Sequence, residues 1–469
     1  MKNKIKIGLF ALIITGVITL CLTYKSKNNI TKTKKPKQSN IAIMIKEDGA
    51  NDYTRSYSKD IPKGDYVLNR EKSYCKNNGV IGNYDSSLGK VSFSFIGTDS
   101  CYLYFDYYFE PGYITILKNN GGKEAIESKE TPDFSVVATT NEGMYASEDD
   151  LGTSYYFRGA VDNNWLKYGK YTKDLYNCND GTLSETDTGN SCTKIASTGD
   201  DMYWRIIRIN GDNSIRMIYW GIAAPLEDTK VVMSSSLSLG KSTFNKNYKG
   251  SESVGYKYTI GKQHGLETNS TIKLFLDDWY ANYTNLNSSG TKITEQIFCN
   301  DRSASTSNLV YSETNYTTLT SWNSTGTTYY YGIYGRIAYN DKPMLRCPID
   351  NDRFTVNKIN SVGNSVLTYS VGLIIADEVE MAGDRYNLDY STLNKNYYLY
   401  ADNGYWTGSP AAYSASNSGN SEQAMFFTTS YLRFAASYGI PSVRPVVSLS
   451  SNVKLSGDGT WNNIYKVEE

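Results

Sequence analysis

Few residues in this chain could perform acid–base or metal chemistry. His264 is the single histidine, which leaves almost no room for a histidine-based triad or a multi-histidine metal site. Asp377 and Glu380 are spaced i, i+3 and could form a carboxylate pair on one helix face. The pattern favours a solvated acidic face instead. We therefore expect no catalytic constellation and no enzyme.

An acidic segment at residues 350–352 raises the question of a calcium site. Calcium is bound by carboxylate and carbonyl oxygens, and the run Asp350-Asn351-Asp352 supplies such groups. Its spacing is not that of an EF-hand loop, and short Asp/Asn runs commonly form turns. We expect no metal and no cofactor, with calcium as the open alternative.

Tyrosine is the most conspicuous residue type, with 42 Tyr against 14 Phe and 7 Trp. Tyrosine offers a large contact area and a polar tip at low entropic cost, which suits binding surfaces; biased composition is the alternative. Between Gly404 and Ile440 aromatic, small and polar residues alternate, and we predict that loops there face a ligand. The candidate contacts are Tyr405, Trp406, Tyr413, Tyr431, Arg433 and Tyr438. For Trp406, a place in the core is the alternative.

Six cysteines follow residue 40, an even number that suggests disulfides in an exported chain. Nearest-neighbour pairing would join Cys75 to Cys101, Cys178 to Cys192 and Cys299 to Cys347. Free buried thiols are the alternative. None of the spacings is C-x-x-C, so a zinc site is not expected.

The N-terminus has the pattern of an export signal. Lys2, Lys4 and Lys6 precede an uncharged apolar stretch, residues 7–24, which engages the cytoplasmic membrane. We predict an uncleaved signal anchor over residues 1–24, with the rest of the chain extracellular; secretion after cleavage is the alternative. Residues 25–40 are a basic linker. Lys+Arg 48 balances Asp+Glu 48, so the overall charge does not favour nucleic acid as a partner.

Residues 41–110 have the pattern of a small β-sandwich-like module. Strands are predicted at 41–45, 66–68, 90–96 and 101–105, since apolar residues alternate with serines or cluster in β-rich runs there. A disulfide from Cys75 to Cys101 would stabilise a core that is otherwise marginal. A spacer is the expected role, and residues 111–140 are predicted to be a linker.

Residues 141–469 are predicted to form one α+β domain with long loops. A hairpin is indicated from Tyr203 to Trp220 around a Gly/Asn/Asp turn. Helices are predicted from Ser270 to Tyr280 and from Ser370 to Ala382, where apolar residues recur at helical spacing. The final apolar run, Val443 to Leu449, is predicted to close onto the hairpin.

Five motifs occur in order: WRIIRINGD, LDDWY, GLIIADEVEMAG, YWTGSP and VRPVVSL. This set resembles a group of bacterial exported surface proteins with a C-terminal C-type-lectin-like domain, in the version of the fold used by formylglycine-generating enzymes. The resemblance covers about residues 141–465 and implies long loops on a ligand face. It does not carry over the copper chemistry of those enzymes, because no cysteine follows Cys347. The group's biochemical role is undefined.

We therefore expect a cell-surface ligand-binding or adhesin-like protein, whose ligand is a glycan or a protein. One alternative is a cell-envelope enzyme that uses Asp377 and Glu380. The other is a purely structural envelope protein.

Overall fold

The structure is a computed structural model that describes residues 40–468 except 59, 95, 188, 190, 232–237, 247–250, 306–327, 387–392, 415–421 and 429–431. The chain divides into two compact units, Met1–Glu110 and Pro111–Glu469, called the N-terminal module and the C-terminal unit below. No helix among the described residues is long and apolar enough to cross a bilayer. The predicted anchor at residues 7–24 lies outside the described residues.

The N-terminal module consists of short strands around a central one. The strands are β1 Asn40–Lys46, β2 Thr54–Arg55, β3 Tyr66–Leu68, β4 Tyr74–Cys75, β5 Val80–Asp85, β6 Lys90–Ser94 and β7 Ser100–Tyr107. β7 pairs in parallel with β1 and antiparallel with β3 and β4, while β5 and β6 form a separate hairpin. The four strands predicted in this module are all present.

Alternation along β7 separates a core face from an outer face. Leu103 and Phe105 are buried with Ile43, and the β5–β6 hairpin packs Val91 and Phe93 against the same cluster. Successive side chains of a strand point to opposite faces, so the even-numbered residues of β7 lie on the other face of the sheet. The disulfide between Cys75 and Cys101 joins β4 to β7 at directly paired residues, as predicted.

The C-terminal unit contains five described α-helices and many strands. The helices are α1 Gly112–Asn119, α2 Lys123–Glu127, α3 Thr271–Asn282, α4 Gly332–Ala338 and α5 Ala376–Met381. The strands are β8 Asn141–Asp149, β9 Gly152–Gly159, β10 Trp165–Lys170, β11 Leu175–Asn177, β12 Leu183–Ser184, β13 Thr193–Ala196, β14 Asp201–Ile209, β15 Ile215–Gly221, β16 Lys257–Tyr258, β17 Thr268–Asn269, β18 Ile293–Thr294, β19 Phe298–Cys299, β20 Thr328–Tyr330, β21 Arg353–Phe354, β22 Tyr405–Ser414, β23 Glu422–Thr428, β24 Leu432–Ala436, β25 Val446–Leu449, β26 Leu455–Ser456 and β27 Tyr465–Val467.

The predicted hairpin forms the middle of a 9-stranded sheet. Seven strands follow the order β18-β25-β15-β14-β10-β27-β26, and β9, which pairs with β14, adds β8. β14 and β15 meet across a turn in which Asn213 has a φ of 67°, a left-handed conformation that asparagine adopts more readily than most residues. β25 pairs with β15, with Leu449 opposite Ile215. The prediction that the C-terminal strand closes onto the hairpin is therefore confirmed.

The predicted fold class, α+β with a C-type-lectin-like α+β domain over residues 141–469, is wrong. The structure is mostly β, with 36% strand against 13% helix. Of the predicted helix from Ser370 to Ala382, only Ala376–Met381 is helical. The amide of Gly372 instead donates to the carbonyl of Val446, so the start of this segment is held against a strand.

The other predicted helix is confirmed. α3 begins after Ser270, whose side chain accepts a hydrogen bond from the amide of Lys273, as an N-cap serine does. Its apolar residues lie on one buried face, as the i, i+3, i+4 spacing indicates: Ile272, Phe275, Leu276, Trp279 and Tyr280.

Residues 111–140, predicted to be a linker, belong to the C-terminal unit. α1 buries Ile116 and Leu117 in the main core, and α2 adds Ile126. The Asn119 side chain donates to the hydroxyl of Tyr465 at 3.0 Å. Residues 111–140 therefore contribute side chains to the core of the C-terminal unit.

A second sheet, ordered β20-β22-β23-β24, carries the segment predicted to face a ligand. β22 lies inside this sheet, paired with β20 on one side and β23 on the other. The remaining two disulfides of the unit, Cys178–Cys192 and Cys299–Cys347, pair as predicted.

Candidate ligand-binding site

The predicted ligand face does not form a single surface. Tyr405 and Trp406 have no exposed area, and Tyr413 is 3% exposed. The Trp406 Nε1–H donates to the Ser242 carbonyl at 2.8 Å, and the Tyr405 hydroxyl donates to the Leu399 carbonyl at 2.9 Å. These three rings are core residues, so they cannot contact a ligand in this conformation.

The other three predicted contacts have different placements. Arg433 is exposed on β24, and Tyr438 is exposed in the turn that follows. Tyr431 lies outside the described residues. The segment from Gly404 to Ile440 therefore offers Arg433 and Tyr438 to solvent and buries the aromatic residues on which the prediction most depended.

The carboxylates of α5 are not on a solvated face, as the sequence pattern favoured. Asp377 and Glu380 are both buried. Burial raises the pKa of Asp377, although Arg336, 3.2 Å away, acts in the opposite direction. Neither carboxylate oxygen of Glu380 has a hydrogen-bond partner among the residues that the structure describes, and burial raises its pKa well above the ordinary value. Neither group is accessible to a substrate in this conformation.

The single histidine is tied to the acidic segment that raised the question of calcium. His264 Nδ1 lies 2.9 Å from Asp352 Oδ2. The other oxygen of Asp352 accepts hydrogen bonds from the Arg302 guanidinium, at 2.5 and 2.8 Å. Asp352 is fully buried, so its carboxylate neutralises an arginine and orients the histidine. Asp350 pairs with Arg353 at 2.6 Å.

A narrow cleft in the C-terminal unit is lined by buried ion pairs. Arg208 lies 2.7 Å from Asp149 and 2.8 Å from Glu378, and Arg216 lies 2.6 Å from Glu378. Burial acts to raise the pKa of Glu378, but the two arginines outweigh it and the pKa is lowered. The cleft has a volume of about 20 Å³, which accommodates about one water molecule.

A much larger cleft lies in the N-terminal module. Its volume is about 500 Å³, within the usual range for small-ligand sites. The lining is mostly polar and includes Lys46, Glu47, Tyr53, Asn69, Lys72 and Asp106. We call it the Asp106 cleft, because Asp106 accepts hydrogen bonds from both Tyr53 and Asn69.

The strand pattern of β7 places Asp106 in this cleft. Asp106 has the same parity as Tyr102 and Tyr104, so it points away from the core that contains Leu103 and Phe105. Parallel pairing with β1 sets Lys46 opposite Asp106. Asn69 follows β3, and its backbone amide donates to the carbonyl of Tyr104 at 2.8 Å.

Asp106 is held by two side chains. The Tyr53 hydroxyl donates to Oδ1 at 2.5 Å, and the Asn69 amide donates to Oδ2 at 2.8 Å. The Asn69 amide also approaches the Tyr53 hydroxyl at 3.2 Å, while the Asn69 carbonyl oxygen accepts from the Lys72 amide at 3.0 Å. These bonds fix the three polar groups before any ligand arrives, which reduces the entropic cost of binding.

The same contacts control the charge of the cleft. Burial, together with the hydrogen bond to Asp106, raises the pKa of Tyr53 to about 12. Burial acts to raise the pKa of Asp106, but the hydrogen bonds from Tyr53 and Asn69 outweigh it and the pKa is lowered. Asp106 is therefore an anion and Tyr53 a neutral hydroxyl at neutral pH.

Sequence reasoning missed this cleft because it assigned the module a spacer role. The available signal was the run Tyr102-Leu103-Tyr104-Phe105-Asp106, in which apolar residues alternate with tyrosines and a carboxylate. Such alternation indicates a strand with one core face. The positions of Tyr53 and Asn69 beside Asp106 depend on loop conformation and could not be deduced from spacing.

No protein-family model matches the chain, and neither the curated proteins nor the solved structures contain a match. The resemblance to exported surface proteins therefore stays a prediction. Fold and site together define a mostly β protein with three disulfides, which presents a preorganised polar cleft on its N-terminal module.

Proposed function

We propose that this chain is an exported binding protein whose N-terminal module holds a polar ligand in the Asp106 cleft. The observation that carries the proposal is the fixed Tyr53–Asn69–Asp106 group inside a cleft of about 500 Å³. A large polar concavity with converging, preorganised groups is typical of ligand sites. The binding role expected from the sequence is kept, but its location moves to the module that was expected to be a spacer.

The chemistry of the lining favours an uncharged, hydroxyl-rich ligand. The cleft contains two lysines, Lys46 and Lys72, and three carboxylates, Glu47, Asp48 and Asp106, so neither sign of charge dominates. A hydroxyl group both donates and accepts hydrogen bonds, and it can therefore match the lysine donors and the carboxylate acceptors at once. A glycan supplies such hydroxyls at high density.

The three disulfides support an exported location. Disulfides persist in oxidising compartments and are rare in the cytosol, and the structure contains three of them. We propose that the folded units are extracellular. The membrane anchor at residues 7–24 stays a prediction.

The positions of Asp377 and Glu380 do not support the alternative function, a cell-envelope enzyme. Asp377 and Glu380 are buried, and Asp377 is engaged by Arg336. General acid–base catalysis requires the acting group to reach the substrate. The binding role is therefore the better-supported function.

The test is a binding screen of the full chain in detergent micelles, using a glycan array and a peptide array, followed by calorimetry. For a ligand retained on either array, Tyr53→Phe and Asp106→Asn are each expected to weaken binding by about tenfold or more, because each disrupts the fixed polar group. Tyr57→Phe is the matched control, since Tyr57 belongs to the same module and is 96% exposed.

Two results would contradict the proposal. One is the absence of a retained ligand on both arrays. The other is a ligand whose affinity is the same for wild type, Tyr53→Phe and Asp106→Asn.

A further inference from the structure

The outer face of the N-terminal sheet continues beyond the Asp106 cleft as a row of aromatic side chains. Tyr102, Tyr104 and Asp106 alternate with the buried residues of β7 and therefore share this face. Tyr104 packs edge-on against Tyr53, with ring centroids 5.0 Å apart. At the usual rise of a strand, Tyr102 and Asp106 are about 14 Å apart along β7.

Tyr74 and Tyr102 end this row as a stacked pair, called the tyrosine stack. Their ring centroids are 5.0 Å apart and their planes differ by 14°. Lys76 Nζ lies 5.5 Å from the Tyr102 ring centroid. Tyr74 is 49% exposed, so the stack presents a large aromatic surface to solvent.

The backbone holds the stack in place. Tyr74 and Tyr102 are directly paired residues of β4 and β7, and the next pair along the two strands is the disulfide between Cys75 and Cys101. A covalent link one residue away restricts how far β4 can move from β7. The exposed ring therefore has a fixed position relative to the Asp106 cleft, as a binding subsite requires.

We propose that the tyrosine stack is a second subsite and that the ligand is a linear, uncharged oligosaccharide of several pyranose rings lying along β7. This inference rests on the proposed binding function of the Asp106 cleft. One ring hydrogen-bonds with Asp106 and Asn69, and a ring further along the chain packs its C–H face on Tyr74.

The separation of the two subsites supports a chain-like ligand. A single sugar ring is much shorter than the distance of about 14 Å between Asp106 and Tyr102, so one ring cannot contact both residues. The charges along the row also balance, because Lys76 adds to Lys46 and Lys72 against the three carboxylates of the cleft. A polyanionic or polycationic chain finds no matching excess of charge.

The experiment compares chain lengths on the intact full-length protein. Cello-oligosaccharides and chito-oligosaccharides of one, three and six rings are titrated by calorimetry into wild type, Tyr74→Ala and Tyr108→Ala. Tyr108 is the matched control because it belongs to the same module and is 46% exposed, close to the value for Tyr74.

In at least one series, the six-ring oligomer is expected to bind wild type about tenfold more tightly than the single ring, the size of one additional aromatic contact. Tyr74→Ala should abolish this gain and leave single-ring affinity unchanged, whereas Tyr108→Ala should keep the gain. Equal affinity at all lengths, or a gain that survives Tyr74→Ala, overturns the inference.

Failure of the second subsite is distinguishable from failure of the cleft. If single rings bind and Tyr53→Phe weakens them, but length has no effect, the cleft stands and the second subsite falls. If no oligomer binds to wild type, the inference falls. The cleft function then survives only if another ligand from the glycan or peptide array binds in a manner sensitive to Tyr53→Phe.

Discussion

Two tyrosine-containing strands, β22 and β7, have different surroundings. Every residue from Tyr405 to Tyr413 on β22 is buried. On β7, Cys101, Leu103 and Phe105 are buried, whereas Tyr102 and Tyr104 are only partly buried. The aromatic content of a strand therefore predicts a large contact area but does not say whether the core or a ligand supplies the contact.

The difference arises from what covers the second face of each sheet. β22 lies beneath helical and loop segments, including α5, whose residues are all buried. In the N-terminal module a single small core, built around Ile43, Leu103 and Phe105, covers only one face of β7. Small domains bury a smaller fraction of their surface, and this leaves the second face of β7 open.

The largest expected effect is on the free energy of unfolding, and it distinguishes a buried residue of β22 from an exposed residue of the tyrosine stack. Trp406→Ala is expected to destabilise the C-terminal unit by about 3–5 kcal/mol, as for other buried large-to-small changes. Tyr74→Ala should change stability by less than about 1 kcal/mol, because the ring is half exposed.

Urea unfolding followed by tryptophan fluorescence measures the effect of Trp406→Ala, and unfolding followed by near-UV circular dichroism of the tyrosines measures the effect of Tyr74→Ala. All 7 tryptophans lie within residues 111–469, so the fluorescence signal reports the C-terminal unit alone. A small shift for Trp406→Ala would contradict the assignment of β22 to the core.

The next effect is the pH dependence of stability, which differs in sign between Asp384 and Asp106. Asp384 is buried beside Thr428 of β23 and Tyr397, which donate to its Oδ2 at 2.8 and 3.0 Å. Burial raises its pKa to about 7. Between the ordinary pKa of 3.8 and about 7 the folded state binds more protons than the unfolded state, so this group lowers stability as pH rises through that window.

Asp384→Asn removes the titration and should therefore stabilise the C-terminal unit by on the order of 2–4 kcal/mol above pH 7. The gain should shrink towards zero as pH falls to about 4. Fluorescence-monitored urea unfolding of wild type and variant from pH 4 to 8 measures it, and a gain independent of pH would refute the assignment. Asp106 changes stability with pH in the opposite direction. Its pKa is lowered in the folded state, so the stability that this group contributes is lost on acidification.

The smallest effect comes from removing one hydroxyl in each region. Tyr405→Phe breaks the bond to the Leu399 carbonyl and should cost about 1 kcal/mol of stability in the C-terminal unit. Tyr53→Phe should leave the tryptophan unfolding transition unchanged and weaken ligand binding instead. Equal effects of the two substitutions on that transition would remove the distinction between the two regions.

Local pattern predicted much of the scaffold. The hairpin from Tyr203 to Trp220, the helix beginning after Ser270 and the three disulfides are present as expected. Each depends on residues close in sequence or on nearest-neighbour cysteines. Two residues of the predicted ligand face, Tyr405 and Trp406, are buried. Trp406 is covered by a segment distant in sequence, since its indole N–H donates to the Ser242 carbonyl.

By itself the sequence determined several strands, among them β7 and the β14–β15 hairpin, since alternation and turn residues are local properties. It did not determine β22 to β24, where loops were predicted. It also determined that Leu103 and Phe105 share a face opposite to Tyr104 and Asp106. Only the tertiary structure decided which face remains open, because burial depends on what packs above a strand and not on the strand itself. The same principle buries Trp406 and exposes Tyr74, and it brings Tyr53, Asn69 and Asp106 together from three separate segments.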